Sequence, residues 1–383
     1  MSEPVGTASS TRTRRLIILA VVVLALAAGG TFWLASLNDD SKPASSAAND
    51  TTTTSTSNAQ FAGLRSYVDE HTDSLVEHTT ELDAAAATYL ELFEAADGDY
   101  ERLATDDPTA VRAALEQART AWLAANPAYE EMEGVVAGVP SLAKYDVSID
   151  AGAPGSDGPD GAVEFDVKVN DERTLTKPGN FFLLTEATLW GTEPEWSSEV
   201  AFDVDGDGTD SGFGDLLPDA EVLRAVARDF VTEAKTLRTD ADAWIPTEGD
   251  AFTALVTMTP TMGEYFNAWK QSRFVAGDKA TERGFVASSR LDDVVGILSG
   301  LGVVRASLDE RMVATDPAAA KAAKDNLAAL TAFVDDLRTQ EAAGTKFTAQ
   351  DADRHGADAQ EQAEQIAATI TDLGREAGVK IDA

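Results

Sequence analysis

The chain has 383 residues, 44% of them hydrophobic, enough for one large or two ordinary domains. Its 66 acidic against 30 basic residues give a formal charge of −36, which excludes nucleic acid and anionic membrane surfaces as natural partners and favours cations, basic partners or a solvated acidic surface. The lack of cysteine excludes disulfides, thiolate metal sites, cysteine nucleophiles and a lipidated N-terminal cysteine, and three histidines leave little room for a multi-histidine metal centre.

Arg12, Arg14 and Arg15 precede an apolar run over 16–37, close to the ~20 residues that a membrane-spanning helix needs. With Asp39 and Asp40 beyond it, the charge asymmetry keeps residues 1–15 in the cytoplasm and sends the rest outside, as a single-pass protein of the cell membrane. Ala25-Leu26-Ala27 offers a cleavage site, and residues 13–17 faintly resemble a twin-arginine signal. The apolar run continues past that cut, which favours an uncleaved anchor. Residues 38–59 are dominated by Ser, Thr, Ala and Asn, too polar to bury a core, and read as a flexible stalk.

Residues 61–96 read as a long bundle helix. Phe61, Val68, Leu75, Leu82 and Tyr89 recur every seven, with Leu64, His71, His78, Ala85 and Leu92 as the companion line. Asp107-Pro108 opens the next helix with a capping residue and a first-turn proline, and Val111, Leu115, Ala118 and Trp122 form its buried stripe. Residues 151–161 are rich in Gly, Pro and Asp, and 164–169 alternate like a short strand, together an insertion between helices.

The segment 175–196, LTKPGNFFLLTEATLWGTEPEW, holds a single carboxylate, Glu186, within an apolar run. On a helix it shares a face with Phe182, Leu189 and Trp190, where a carboxylate is costly unless paired or ligating. Further on, Asp203, Asp205 and Asp207 followed by Gly208 match the first half of a calcium loop. Thr209 would supply the seventh-position carbonyl, but the twelfth position is Gly214, with Asp215 one residue later. Beyond it, Leu223, Val226, Phe230 and Leu237 mark a helix. Residues 252–269 form another that Pro260 kinks, 291–309 is glycine-interrupted, and Asp316-Pro317 opens one with Leu327, Leu330, Val334 and Leu337 as its seam. Thr348 with Asp351 resembles a capping box before the last helix.

The Glu186 segment is similar to the signature of imelysin-like proteins, the family of the EfeO- and EfeM-type iron-uptake components. There, Gly-x-His-x-x-Glu is followed by Leu-Trp. Glu186, Leu189 and Trp190 fit that pattern, while Phe181 stands at the glycine and Leu183 at the histidine position. Ala118-Arg119, Pro127 and the stretch 145–150 (YDVSID) resemble the family's second helix and the Ile-Asp after it, and the family's helix glutamates align with Leu123 and Asn126.

The expected fold is therefore all-α: two four-helix-bundle-like halves, 60–214 and 215–383, with a short β/loop insertion, behind a transmembrane helix. The resemblance implies an extracytoplasmic, membrane-anchored component associated with iron uptake, partnered by an iron permease or another envelope protein. The alternative is an envelope interaction or scaffold module that binds no metal. Peptidase chemistry is disfavoured, because Leu183 replaces the motif histidine and no His-Glu-x-x-His or Gly-x-Ser-x-Gly occurs. Glu186 and His78 are the expected ligands of iron or another divalent transition metal. Asp203, Asp205, Asp207, Thr209 and Asp215 are those of a weak, structural Ca2+ site.

Overall fold

The computed structural model describes residues 60–382, so the expected anchor at 16–37 and the stalk at 38–59 lie outside the described residues. Among the described residues no helix is long and apolar enough to cross a membrane.

The chain is mostly helical, and two features of its first long helices explain how the fold begins. Helix α1 (Ala62–Ala95) is buried at Val68, Leu75, Leu82 and Tyr89, the heptad positions expected of it. The companion line holds at Leu64 and Ala85 but not between them. Thr72 and Thr79 are fully buried, each donating its hydroxyl to the carbonyl four residues back, at 2.8 and 2.7 Å. His71 and His78 therefore lie on the flank. A 3.6-residue helix gripped by neighbours on two sides buries a wider arc than a strict heptad seam, and the arc here takes in the threonines.

After α2 (Tyr100–Asp106), Asp107 caps α3 (Pro108–Val136), accepting from the Ala110 amide at 3.0 Å. Two short antiparallel pairs follow, β1 (Asp166–Lys168) with β2 (Thr174–Thr176) and later β3 (Ser197–Ala201) with β4 (Leu216–Pro218). Between the pairs lies α4 (Phe181–Trp190), capped by Asn180 at its start and closed by Gly191 in the left-handed region at φ 63°.

Helix α5 (Ala220–Ala243) packs along α1, so the first three long helices form one layer although sequence had grouped α5 with the later ones. An aromatic cluster cements α4 to this layer: Trp122 meets Phe182 edge-on with centroids 4.7 Å apart, and Phe181 stacks on Phe230 at 5.4 Å.

The remaining helices are α6 (Glu248–Met258), α7 (Met262–Gln271), α8 (Arg290–Ser307), α9 (Asp309–Thr315), α10 (Pro317–Ala342) and α11 (Ala349–Glu376). Pro260 breaks α6 from α7 through a 3-10 turn, with its own ψ at 18°. Helix α11 begins with the expected capping box of Thr348 and Asp351.

One contact matters most for the site. Helix α8 crosses α3 closely enough that a Cβ on Gly300 would stand 2.1 Å from the Glu131 carbonyl, and one on Gly134 would stand 2.9 Å from Leu301. Only glycine permits that approach, which brings the N-terminal turn of α8 against the C-terminal half of α3.

Candidate metal centre

Four elements converge on a buried group of acids. Helix α3 presents Asn126, Tyr129, Glu130 and Glu133 on one face, three or four residues apart. After α3 the chain makes a π-helical turn, Val147–Ala151, which carries Asp150, with Asp146 just ahead of it. Arg290 and Asp293 come from the first turn of α8, whose cap is Ser289, and Tyr265 comes from α7. Glu130, Glu133, Asp150 and Asp293 are all at most 5% exposed, which is rare for carboxylates and costly without partners.

Arg290 is the central partner. Its Nη1 donates to Glu130 Oε1 and Asp293 Oδ2, and its Nη2 to Asp150 Oδ2, each at 3.2 Å. The guanidinium carbon also lies 3.9 Å from the Phe285 ring centroid and 4.7 Å from that of Tyr265. Tyr265 donates its hydroxyl to Glu133 Oε1 at 2.7 Å, and Tyr129 donates to Asp146 Oδ1 at 3.0 Å.

These bonds leave a remainder. Glu130 Oε2, Glu133 Oε2 and Asp150 Oδ1 are buried with no hydrogen-bond partner, and Glu130, Glu133 and Asp150 each bring a carboxylate oxygen within 4.8 Å of the others. Burial is the first cause that pushes the Glu130, Glu133 and Asp146 carboxyls upward, and it raises Asp293 to about 8, with Arg290 opposing and Asp150 adding to the rise. The same carboxylates hold the Arg290 guanidinium charged despite its burial. A cation placed among the three open oxygens would displace the protons that burial favours there and stabilise the carboxylates in their ionised form.

Glu186 lies beside this centre and is spent differently. It is 3% exposed, and its Oε1 accepts from the Ala287 amide at 2.7 Å, with further backbone donors at Val286 and Phe285. Burial raises its carboxyl to about 7 against those bonds. Leu183, at the motif histidine position, lines a cavity of about 320 Å³ together with Asp150, Asn180, Glu282 and Phe285.

Several expected residues fall elsewhere. His78 does not join Glu186: its Nδ1 pairs with Glu81 Oε2 at 2.9 Å on a partly exposed face, a consequence of the shifted companion line in α1. His71 pairs with Glu131 at 2.6 Å and His355 sits beside Arg354, so none of the three histidines enters the acid centre. Leu123 is 45% exposed, whereas Asn126 is in the centre, its Nδ2 donating to Asp293 Oδ1 at 3.4 Å. The buried glutamates of the helix stand seven residues beyond those two positions, two turns along nearly the same face.

Asp203, Asp205 and Asp207 do gather, each offering an oxygen within 4.8 Å of the others, in the loop between β3 and β4. One oxygen of each already serves the protein, while Asp203 Oδ1 is buried without a partner. Arg112 donates to Asp203 Oδ2 at 3.0 Å, the Asp207 amide to Asp205 Oδ1 at 3.1 Å, and the Thr209 amide and hydroxyl to Asp207 Oδ1 at 2.8 Å. Asp215 is buried and holds the loop shut instead, accepting from Gly212 at 2.7 Å and Val204 at 3.3 Å.

Fold and site together define a mostly helical protein with a buried carboxylate centre at the crossing of two helices. The profile of the imelysin family, which carries a peptidase designation, matches residues 63–375, and the chain belongs to that family. No curated protein matches it.

Proposed function

We propose that this imelysin-family chain is a binding protein that takes a divalent metal ion, iron foremost, at Glu130, Glu133 and Asp150, and that it works outside the cytoplasm on a membrane tether beside a permease or other envelope partner. The observation that carries this reading is the set of three buried, unpartnered carboxylate oxygens on those residues. An all-oxygen donor set suits hard and borderline divalent cations; raw affinity at such a site still rises from Mn2+ through Fe2+ to Cu2+, so a preference for iron would come from geometry and availability. With Leu183 in place of the motif histidine and no imidazole in the centre, binding is favoured over hydrolysis. Glu186 and His78 are not ligands in this reading.

Calorimetric titration of the full chain with Fe2+, Mn2+, Zn2+ and Cu2+ tests it. We expect one site that binds Fe2+ more tightly than Mn2+, with the affinity weakened at least tenfold by Glu130→Gln or Glu133→Gln. A second reading, a scaffold module without metal, draws on Arg290, which already gives the acids an internal cation. Titrations without heat for any ion would decide for the scaffold.

Calcium at Asp203, Asp205 and Asp207 is a separate proposal, supported by their convergence. With Asp215 committed to amides, no bidentate twelfth ligand is on hand, so affinity in the ~10⁻⁴–10⁻³ M range is expected. Millimolar Ca2+ should raise the melting temperature, and Asp205→Ala should remove that rise. An equal rise in the variant would leave the loop as an acidic turn.

A further inference from the structure

We infer that Arg290 fixes the charge class of cation that the acid centre accepts, admitting divalent and resisting trivalent ions. The inference rests on the cation-binding reading above and adds a specificity-determining residue to it. The guanidinium does not occupy the open position. It bonds one oxygen of Glu130 and one of Asp150, and the other oxygen of each, with Glu133 Oε2, is left without a partner. An ion held by those oxygens would therefore share two carboxylates with a fixed positive charge. That charge is immobile: the Arg290 side chain is 6% exposed, bonded to three acids and covered by the Phe285 ring.

Repulsion from a fixed charge scales with the charge of the ion, whereas the cost of reshaping the site does not. At a separation of roughly 5–6 Å and an effective dielectric constant near 20, each added unit of ionic charge weakens binding by about a hundredfold. Arg290 thus subtracts more from a trivalent ion than from a divalent one of equal size. Asp293, which pairs with Arg290 and Asn126 but is not one of the three converging residues, works in the opposite sense once a bound cation favours its ionised form.

Ca2+ and Tb3+, nearly equal in radius and different in charge, are the probes. Their affinities would be measured on the full chain in an Asp205→Ala/Asp207→Ala background, so that the β3–β4 loop adds nothing. Arg290→Gln should raise the Tb3+/Ca2+ affinity ratio tenfold or more, while Arg290→Lys, which keeps the charge and loses the fork, should hold it within about threefold. Asp293→Asn should lower the ratio, and it supplies a reading even if Arg290→Gln does not fold. A ratio unmoved by Arg290→Gln, or raised by Asp293→Asn, overturns the inference while leaving cation binding intact. If neither ion binds in a manner sensitive to Glu133→Gln, the binding reading itself falls, and this inference with it.

Discussion

Replacing Arg290 with alanine is expected to cost roughly 3–5 kcal/mol of stability at pH 8, the largest single effect foreseen for this chain. The variant would leave Glu130, Asp150 and Asp293 facing one another in a water-poor interior with their shared donor removed. The loss should shrink as pH falls. Glu130 and Asp293 carry raised carboxyls in the fold, Asp293 near 8, so the folded chain holds protons that the unfolded chain has released. Protonation favours the folded state at low pH and that benefit fades as pH rises, most steeply without the guanidinium. Urea unfolding followed by tryptophan fluorescence at pH 5.5 and pH 8 checks this. An equal loss at both values would mean that Arg290 matters for packing and not for charge.

The second large effect belongs to Glu186. Its carboxyl lies at about 7 in the fold against 4.5 for an ordinary glutamate, and burial is the main cause. The stability that the neutral group contributes is complete below about pH 4.5 and is lost as pH climbs through 7. Glutamine imitates the neutral carboxyl and can still accept from the Ala287 amide. Glu186→Gln should therefore match the wild type near pH 4.5 and exceed it by about 3 kcal/mol at pH 8. A difference independent of pH would assign the titration to some other group.

Much of the scaffold was legible because it rests on local rules. Asp107-Pro108, the Thr348/Asp351 box and the break at Pro260 each act within one turn of chain, where cap geometry or a missing amide decides the outcome. The flank position of His71 and His78 was not legible, because it depends on which neighbours grip α1, and α5 arrives from more than a hundred residues away. Glu186 was singled out correctly as a carboxylate in apolar surroundings, yet the Ala287 amide that it holds belongs to a segment with no pattern of its own.

The acid centre was missed for a related reason. In a chain with 66 acidic residues, Glu130 and Glu133 look like part of a solvated helical face. The available signal was their setting: Tyr129, Met132, Val135 and Val136 surround them, which leaves water only a narrow stripe through Leu123, Pro127 and Glu131. Asp150 stood inside the YDVSID stretch, and only the close approach of α8 over Gly134 and Gly300 supplies Arg290 to meet it.

The way the described chain begins also has a mechanical consequence. Gln60 donates to the Ser307 carbonyl at 3.1 Å, and Arg65 donates to the carbonyls of Asp242 and Trp244, so the first turn is fastened to the ends of α8 and α5. From there α1 runs 34 residues, about 50 Å, packed against both α3 and α5. A pull on residue 60 along the helix axis would load those two interfaces in shear over their whole length, since no short end can peel off first. Arg224 to Asp83 and Arg238 to Asp73 would act as rivets between α5 and α1 under such a load. A chain hung from its N-terminus by this helix would transmit tension to its long interfaces together, and the acid centre lies close to the loaded end, where Tyr67 and His71 bond Glu131 between its two glutamates.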